Sequence, residues 1–301
     1  MAKASYKKQA ALLLTVLPEV AKETCFALHG GTAINLYIRN MPRLSVDIDL
    51  TYLPTETRET TLAKIAAALE RIKASIEKVI KDARITHREG VGKLLISAHG
   101  VDVKLEVNLV ARGTLATPVK MELCKKAQQD FEVFSAINVV PLGQLFGGKI
   151  CAALDRQHPR DLFDIKYMLE NEGFTNEIKE GFLLCLLSSD RPINEVISPN
   201  YQNQHQALDN QFAGMTEETF SYEEYEVTRN NLVKTIHGGL SQKDKEFLLS
   251  VKNLNPDWSI YNFEKFPAVA WKLQNLQKLR ESNPEKHAKL FDDLKQKLDS
   301  F

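Results

Sequence analysis

The sequence predicts an α+β protein: a mixed α/β unit over residues 1–140, followed by a helical bundle over residues 141–301. Three observations carry this. Short apolar runs with two-residue alternation fall in the first half, the clearest of them Val46–Leu50 and Val101–Leu109. A paired glycine, Gly30-Gly31, separates an apolar strand-like run from a helix-like one. Beyond Pro141, apolar residues recur almost everywhere at helical spacing.

In order, Ser5 reads as the cap of a helix to about Leu17, with Pro18 in the first turn of a second short helix. A strand at Phe26–Leu28, the glycine turn and a helix over about Ala33–Arg39 follow. Leu62, Ile65, Ala66, Leu69, Ile72, Ile76 and Ile80 then mark one face of a helix across Glu59–Asp82, which covers a sheet face. Lys93–Ala98 and Val101–Leu109 flank His99-Gly100, a two-residue hairpin turn. Extended pieces near Val119–Leu123 and Glu132–Val140 complete the first unit. The helices expected after Pro141 are Leu142–Leu154, Asp161–Glu170, Asn176–Leu187, Ser221–His237, Ser241–Val251, Phe266–Glu281 and Pro284–Leu298, the first of them lining the site. Ser241 with Asp244 approximates a capping box, Asn283 caps Pro284, and Gly238-Gly239 closes the helix before them. Pro192–Gly214, rich in Asn and Gln, reads as the most mobile stretch.

At 301 residues with 39 basic and 39 acidic side chains, the chain has no global field to draw it to nucleic acid or a membrane. Cys25, Cys124, Cys151 and Cys185 lie far apart without metal-ligand spacing, so buried free thiols and a cytoplasmic location are expected. The apolar run Ala10–Leu14 is too short for a signal peptide, and no segment is long enough to span a bilayer.

The chemistry concentrates in two places. A strand–glycine–helix turn aims backbone N–H groups at what lies above it, which suits phosphate. In Arg43-Leu44-Ser45-Val46-Asp47-Ile48-Asp49-Leu50, alternation puts Asp47 and Asp49 on one face and Val46, Ile48 and Leu50 on the buried one. Neighbouring carboxylates repel, and a hard divalent cation relieves them. Together these features point to a metal-bound nucleoside triphosphate (NTP).

Gly30-Gly31-Thr32-Ala33 followed by Arg43-x-Ser45-x-Asp47-Ile48-Asp49-Leu50 resembles the AbiEii/AbiGii nucleotidyltransferases, toxins of bacterial toxin–antitoxin and abortive-infection systems within the polymerase-β-like superfamily. Gly147–Arg156 and Arg160-Asp161-Leu162-Phe163-Asp164 also resemble that family, so the likeness covers about residues 20–170. It implies a polymerase-β-like nucleotidyltransferase domain and a third carboxylate from a later neighbouring strand, Glu106, with Asp102 as the fallback. By the same likeness Asp47, Asp49 and Glu106 hold Mg²⁺ (or Mn²⁺), and Gly30, Gly31 and Thr32 cradle phosphates. Arg43 and Ser45 brace the loop or touch phosphate, and Lys149 neutralises departing pyrophosphate. Asp161 either orients Lys149 or Arg160 or only caps its helix. The implied acceptor is RNA, above all the tRNA 3′ end, and the implied partner a cognate antitoxin. A protein acceptor, a metal-dependent nuclease and a non-catalytic nucleotide-binding module are the other classes these residues allow. His158-Pro159-Arg160-Asp161 superficially suggests a kinase catalytic loop, but Pro159 interrupts it and no other kinase landmark is present.

Overall fold

The computed structural model describes the backbone of residues 2–301 and the side chains from residue 5 onward. The chain forms two compact units: Met1–Pro141 with Gln206–Thr219, and Leu142–His205 with Phe220–Phe301.

In unit 1, helix α1 (Ala2–Val20) leads to β1 (Phe26–His29), then α2 (Gly30–Ala33), which continues as a π-helix over Ile34–Ile38. β2 (Asp47–Tyr52), α3 (Arg58–Val79), β3 (Arg84–Arg88), β4 (Lys93–Ala98) and β5 (Val101–Asn108) follow, then β6 (Val119–Glu122), α4 (Lys125–Phe131) and β7 (Ala136–Val139). The seven strands make one mixed sheet in the order β3-β4-β5-β2-β1-β7-β6. β2 pairs antiparallel with β1 and parallel with β5, so the acid strand lies near the centre of the sheet. Its alternation is as the sequence requires: Ile48 and Leu50 are buried while Asp47 and Asp49 are half-buried.

Several local expectations change. The first helix begins before Ser5, so Ser5 is not its cap, and it runs through Pro18 to Val20 without restarting. Met1, the first residue of the signal-like stretch, lies outside the described residues. The expected Ala33–Arg39 helix starts three residues earlier, on Gly30, and most of it is π-helical. The hairpin turn is as expected: His99 and Gly100 both have positive φ, 53° and 74°, as a two-residue turn of matching twist requires. The four cysteines are free but half-buried rather than buried. Burial pushes their thiols up, Cys25 to about 11 and Cys185 to about 12.

Unit 2 contains α5 (Leu142–Arg156), α6 (Pro159–Asn171), α7 (Asn176–Leu187), α8 (Ile193–Ile197), the start of α9 (His205–Ala207), α10 (Tyr222–Gly239), α11 (Gln242–Lys252), α12 (Pro267–Ser282) and α13 (Pro284–Asp299). The Pro192–Gly214 stretch carries α8 and α9, with Ile193, Val196 and Ile197 buried. Ser221 and Ser241 both close full capping boxes. α5 and α7 cross at bare backbone. A β-carbon on Gly181 would stand 2.0 Å from the Gly143 carbonyl oxygen, and one on Gly147 would stand 2.2 Å from the Gly181 carbonyl carbon. The close approach thus uses Gly143 and Gly147, one turn apart on α5. Gly181→Ala is expected to destabilise the protein by about 3 kcal/mol, because only separation of the two backbones relieves the overlap. Urea unfolding checks this, and an unchanged midpoint would show that the helices do not meet there.

Candidate active site

The first motif lies in unit 1, where β1 delivers the chain to the glycine turn. His29, the last residue of β1, pairs in register with Asp49 of β2. Gly30 has φ +70°, and a β-carbon there would lie 2.4 Å from Asp49 Oδ2. The Asp49 carboxylate therefore occupies the space that a side chain at the bend would take. A β-carbon on Gly31 would lie 2.7 Å from a guanidinium nitrogen of Arg43. The bend is thus bracketed by a carboxylate on one glycine and a guanidinium on the next.

The turn is fastened from below. Thr32 is fully buried; its hydroxyl lies 2.8 Å from Ser45 Oγ and donates to the Asp47 carbonyl at 2.5 Å. Thr32 and Ser45 thereby tie the helix start to the residues leading into β2. Asn35 donates to the Gly31 carbonyl at 2.9 Å, one turn along. Arg43 is buried and donates to the Leu44 carbonyl at 2.9 Å. Its loop is strapped by the returning segment Gln206–Thr219: Leu44 N donates to Met215 O at 2.7 Å, and Thr216 Oγ1 donates to Pro42 O at 2.9 Å.

β5 brings the third acid. Its parallel register sets Lys104 opposite Asp47 and Glu106 opposite Asp49. Asp102, the fallback, precedes the first β2–β5 pair; it is exposed and accepts from Ser97 Oγ at 2.5 Å. Glu106 is bonded to Lys93 and to Lys104, the second at 2.5 Å. Burial works to raise the Glu106 pKa, but these two ammonium groups outweigh it and hold the carboxyl below its ordinary value. Burial works to lower Lys104; its bond to Glu106 and the charges of Asp47, Glu106 and Asp49 reverse this and raise it. Lys93 and Lys104 are thus counter-charges to the acid face. In the sequence, two-residue alternation along Val101–Leu109 sets Lys104 on the face of Glu106, which is the signal that could have assigned it.

Among the described residues, one group of three His, Cys, Asp or Glu side chains has ligand atoms all within 4.8 Å of one another: Glu70, His87 and Glu89, by the edge strand β3. Asp47, Asp49 and Glu106 share a face without meeting that closeness. Their all-oxygen donor set, and a bend that leaves space for Asp49, nevertheless suit a hard divalent ion.

The second motif lies in unit 2. Lys149 on α5 is buried, and its Nζ lies 2.9 Å from Asp161 Oδ1 and 3.0 Å from Asp164 Oδ2 at the start of α6. Arg156, two turns along α5, donates to Asp161 Oδ2 at 2.7 Å and Oδ1 at 3.1 Å. His158 is the N-cap of α6, accepting from Arg160 N at 3.1 Å. Asp161 therefore orients Lys149 and Arg156, not Arg160, and does not cap. Burial pushes the Asp161 pKa up, but the charges of Lys149 and Arg156 prevail and hold it far below the usual carboxylate range.

A family model described as "Nucleotidyl transferase AbiEii toxin, Type IV TA system" matches residues 11–275. The chain belongs to the AbiEii nucleotidyltransferase toxin family. AbiEii membership makes it a nucleotidyltransferase, and the family implies an NTP substrate, a divalent metal and a cognate antitoxin. Among solved structures it is similar to MenT4, a nucleotidyltransferase toxin from Mycobacterium tuberculosis H37Rv, at 12% identity and TM-score 0.62, over 92% of this chain and 95% of that one. That likeness concerns the fold, a mixed sheet with flanking helices followed by further helices. A search of the curated proteins gives no significant match. No helix of the described residues is long and apolar enough to cross a membrane.

Proposed function

We propose that this AbiEii protein transfers a nucleoside monophosphate from an NTP to RNA, the tRNA 3′ end foremost, in a Mg²⁺-dependent reaction that releases pyrophosphate. The observation that carries this reading is the seat of the Asp49 carboxylate against Gly30, with Asp47 and Glu106 on the same sheet face. Asp47, Asp49 and Glu106 would hold the metal, which when bound offsets phosphate charge and favours the ionised acceptor hydroxyl. The chain's own residues do the rest. Backbone N–H groups in the first helical turn, at Gly30, Gly31 and Thr32, lack intrahelical acceptors and receive phosphate oxygens. The Thr32 hydroxyl, engaged with Ser45 and Asp47, keeps the turn rigid. Arg43, beside Gly31, adds positive charge at the bend. Lys93 and Lys104 neutralise Glu106, and a bound cation would take over that charge.

Lys149 is assigned to the departing pyrophosphate. Its amine is already fixed by Asp161 and Asp164, so little side-chain entropy is lost on engaging a further oxygen. A cytoplasmic site of action follows from an RNA acceptor, and growth arrest on unpartnered expression follows from blocked tRNA. The test is incubation of the purified protein with each labelled NTP, Mg²⁺ and total tRNA. Label joined to full-length tRNA is the expected result; shortened RNA would replace this reading with a nuclease, and label on protein would change the acceptor.

A further inference from the structure

Unit 2 contains a cavity of about 180 Å³ that the transfer reaction does not use. Lys252, Lys272, Trp271, Ile193, Leu276 and Leu279 line it, with the exposed Asp190 at one side. Lys252, the last residue of α11, is 5% exposed. Among the described residues no hydrogen bond or ion pair engages its ammonium, and burial alone lowers its pKa. Lys272 on α12 donates to the backbone carbonyls of Ser189 and Arg191, at 2.5 and 2.9 Å, and has no carboxylate partner within ion-pair distance. Burial foremost, and then the charge of Lys252, brings Lys272 down to about 8, against the opposing charge of Asp190. Two amines that feel each other therefore share one largely apolar space.

An ammonium that opens onto a largely apolar space without a protein acceptor is poorly solvated there, and an anion supplies what the chain does not. Two ammonium groups and one carboxylate leave the cavity a net charge of about one, which matches a single negative charge. A cavity of about 150 Å³ accepts a benzene ring, so this one has room for a single ring with a small head group. The geometry points to this cavity as a binding site for a small aromatic monocarboxylate, its carboxylate on Lys252 and its ring against Trp271, Leu276 and Leu279.

The test titrates full-length protein with benzoate, its neutral counterpart benzyl alcohol, and phenyl phosphate, followed by calorimetry and by the Trp271 indole resonance. Benzoate is expected to bind at least about tenfold tighter than benzyl alcohol, a difference of about 1.4 kcal/mol, and to shift the Trp271 signal. Lys252→Met is expected to lose that preference while unfolding at the same or a higher temperature, since a charge held in a largely apolar pocket is replaced by an apolar chain. No binding of benzoate, equal binding of benzyl alcohol, or undiminished benzoate binding by Lys252→Met would each overturn the site. Tighter binding of phenyl phosphate would overturn the carboxylate assignment. The comparison of the three ligands on the wild-type protein stands even if the variant does not fold.

Discussion

Asp49→Asn is expected to lower nucleotide transfer by about a thousandfold or more while the protein keeps its unfolding midpoint. The asparagine is isosteric, so the space against Gly30 stays filled. What disappears is one negative charge on the face that must hold a cation. Lys104, which now draws part of its stabilisation from Asp47, Glu106 and Asp49, would lose only the last and smallest of these contributions. Asp102→Asn is the matching control: Asp102 lies beyond the end of the β2 pairing, and transfer within about twofold of wild type is expected. Initial rates of labelled-nucleotide incorporation, with circular dichroism on the same samples, decide between them. An Asp49→Asn protein that works normally would remove the acid face from the mechanism.

Lys149→Met is expected to destabilise the protein by about 3–5 kcal/mol at pH 7, because it leaves Asp161 and Asp164 buried without their ammonium partner. The pH dependence has a definite sign. Asp161 has a depressed folded pKa, so its stabilising contribution is complete above the unfolded value of about 3.9 and declines as pH falls below it. The gap between wild type and variant should therefore narrow on going from pH 7 to below pH 4. Lys149→Met with Asp164→Asn should recover part of the loss, since one of the two buried negative charges that face Lys149 is gone. Urea unfolding at several pH values measures all of this. Transfer assayed at a temperature where the variant is folded measures the phosphate role separately; a loss there beyond the unfolded fraction supports it.

The parts that were legible in the sequence are those whose cause is local. The β4–β5 hairpin declares itself through alternation around His99-Gly100, and the face of α3 through Ile65, Leu69, Ile72 and Ile76, all buried. The acid strand and glycine turn were visible for the same reason, and pairing in register supplied what single strands could not: Glu106, not Asp102, opposite Asp49. β3 escaped because Arg84–Arg88 is a polar edge strand with no buried residue. α4 escaped because Ala127 is its one buried residue. The π-turns at Ile34–Ile38 carry no residue that announces them. Lys149 was visible as a lysine among apolar neighbours, but its acceptors sit on the next helix, and a sequence pattern does not say which of capping and pairing wins. The strap over Arg43 depends on contacts between residues more than 170 positions apart, such as Thr216 with Pro42, and nothing local encodes them.

That strap makes the first unit discontinuous in the gene. The chain leaves it after Pro141, returns for Gln206–Thr219, and leaves again. A coding sequence cut at codon 141 would thus yield a fragment whose arginine loop has lost its clasp. The second unit is interrupted in turn, by the strap itself, so no single cut in the gene releases either unit whole.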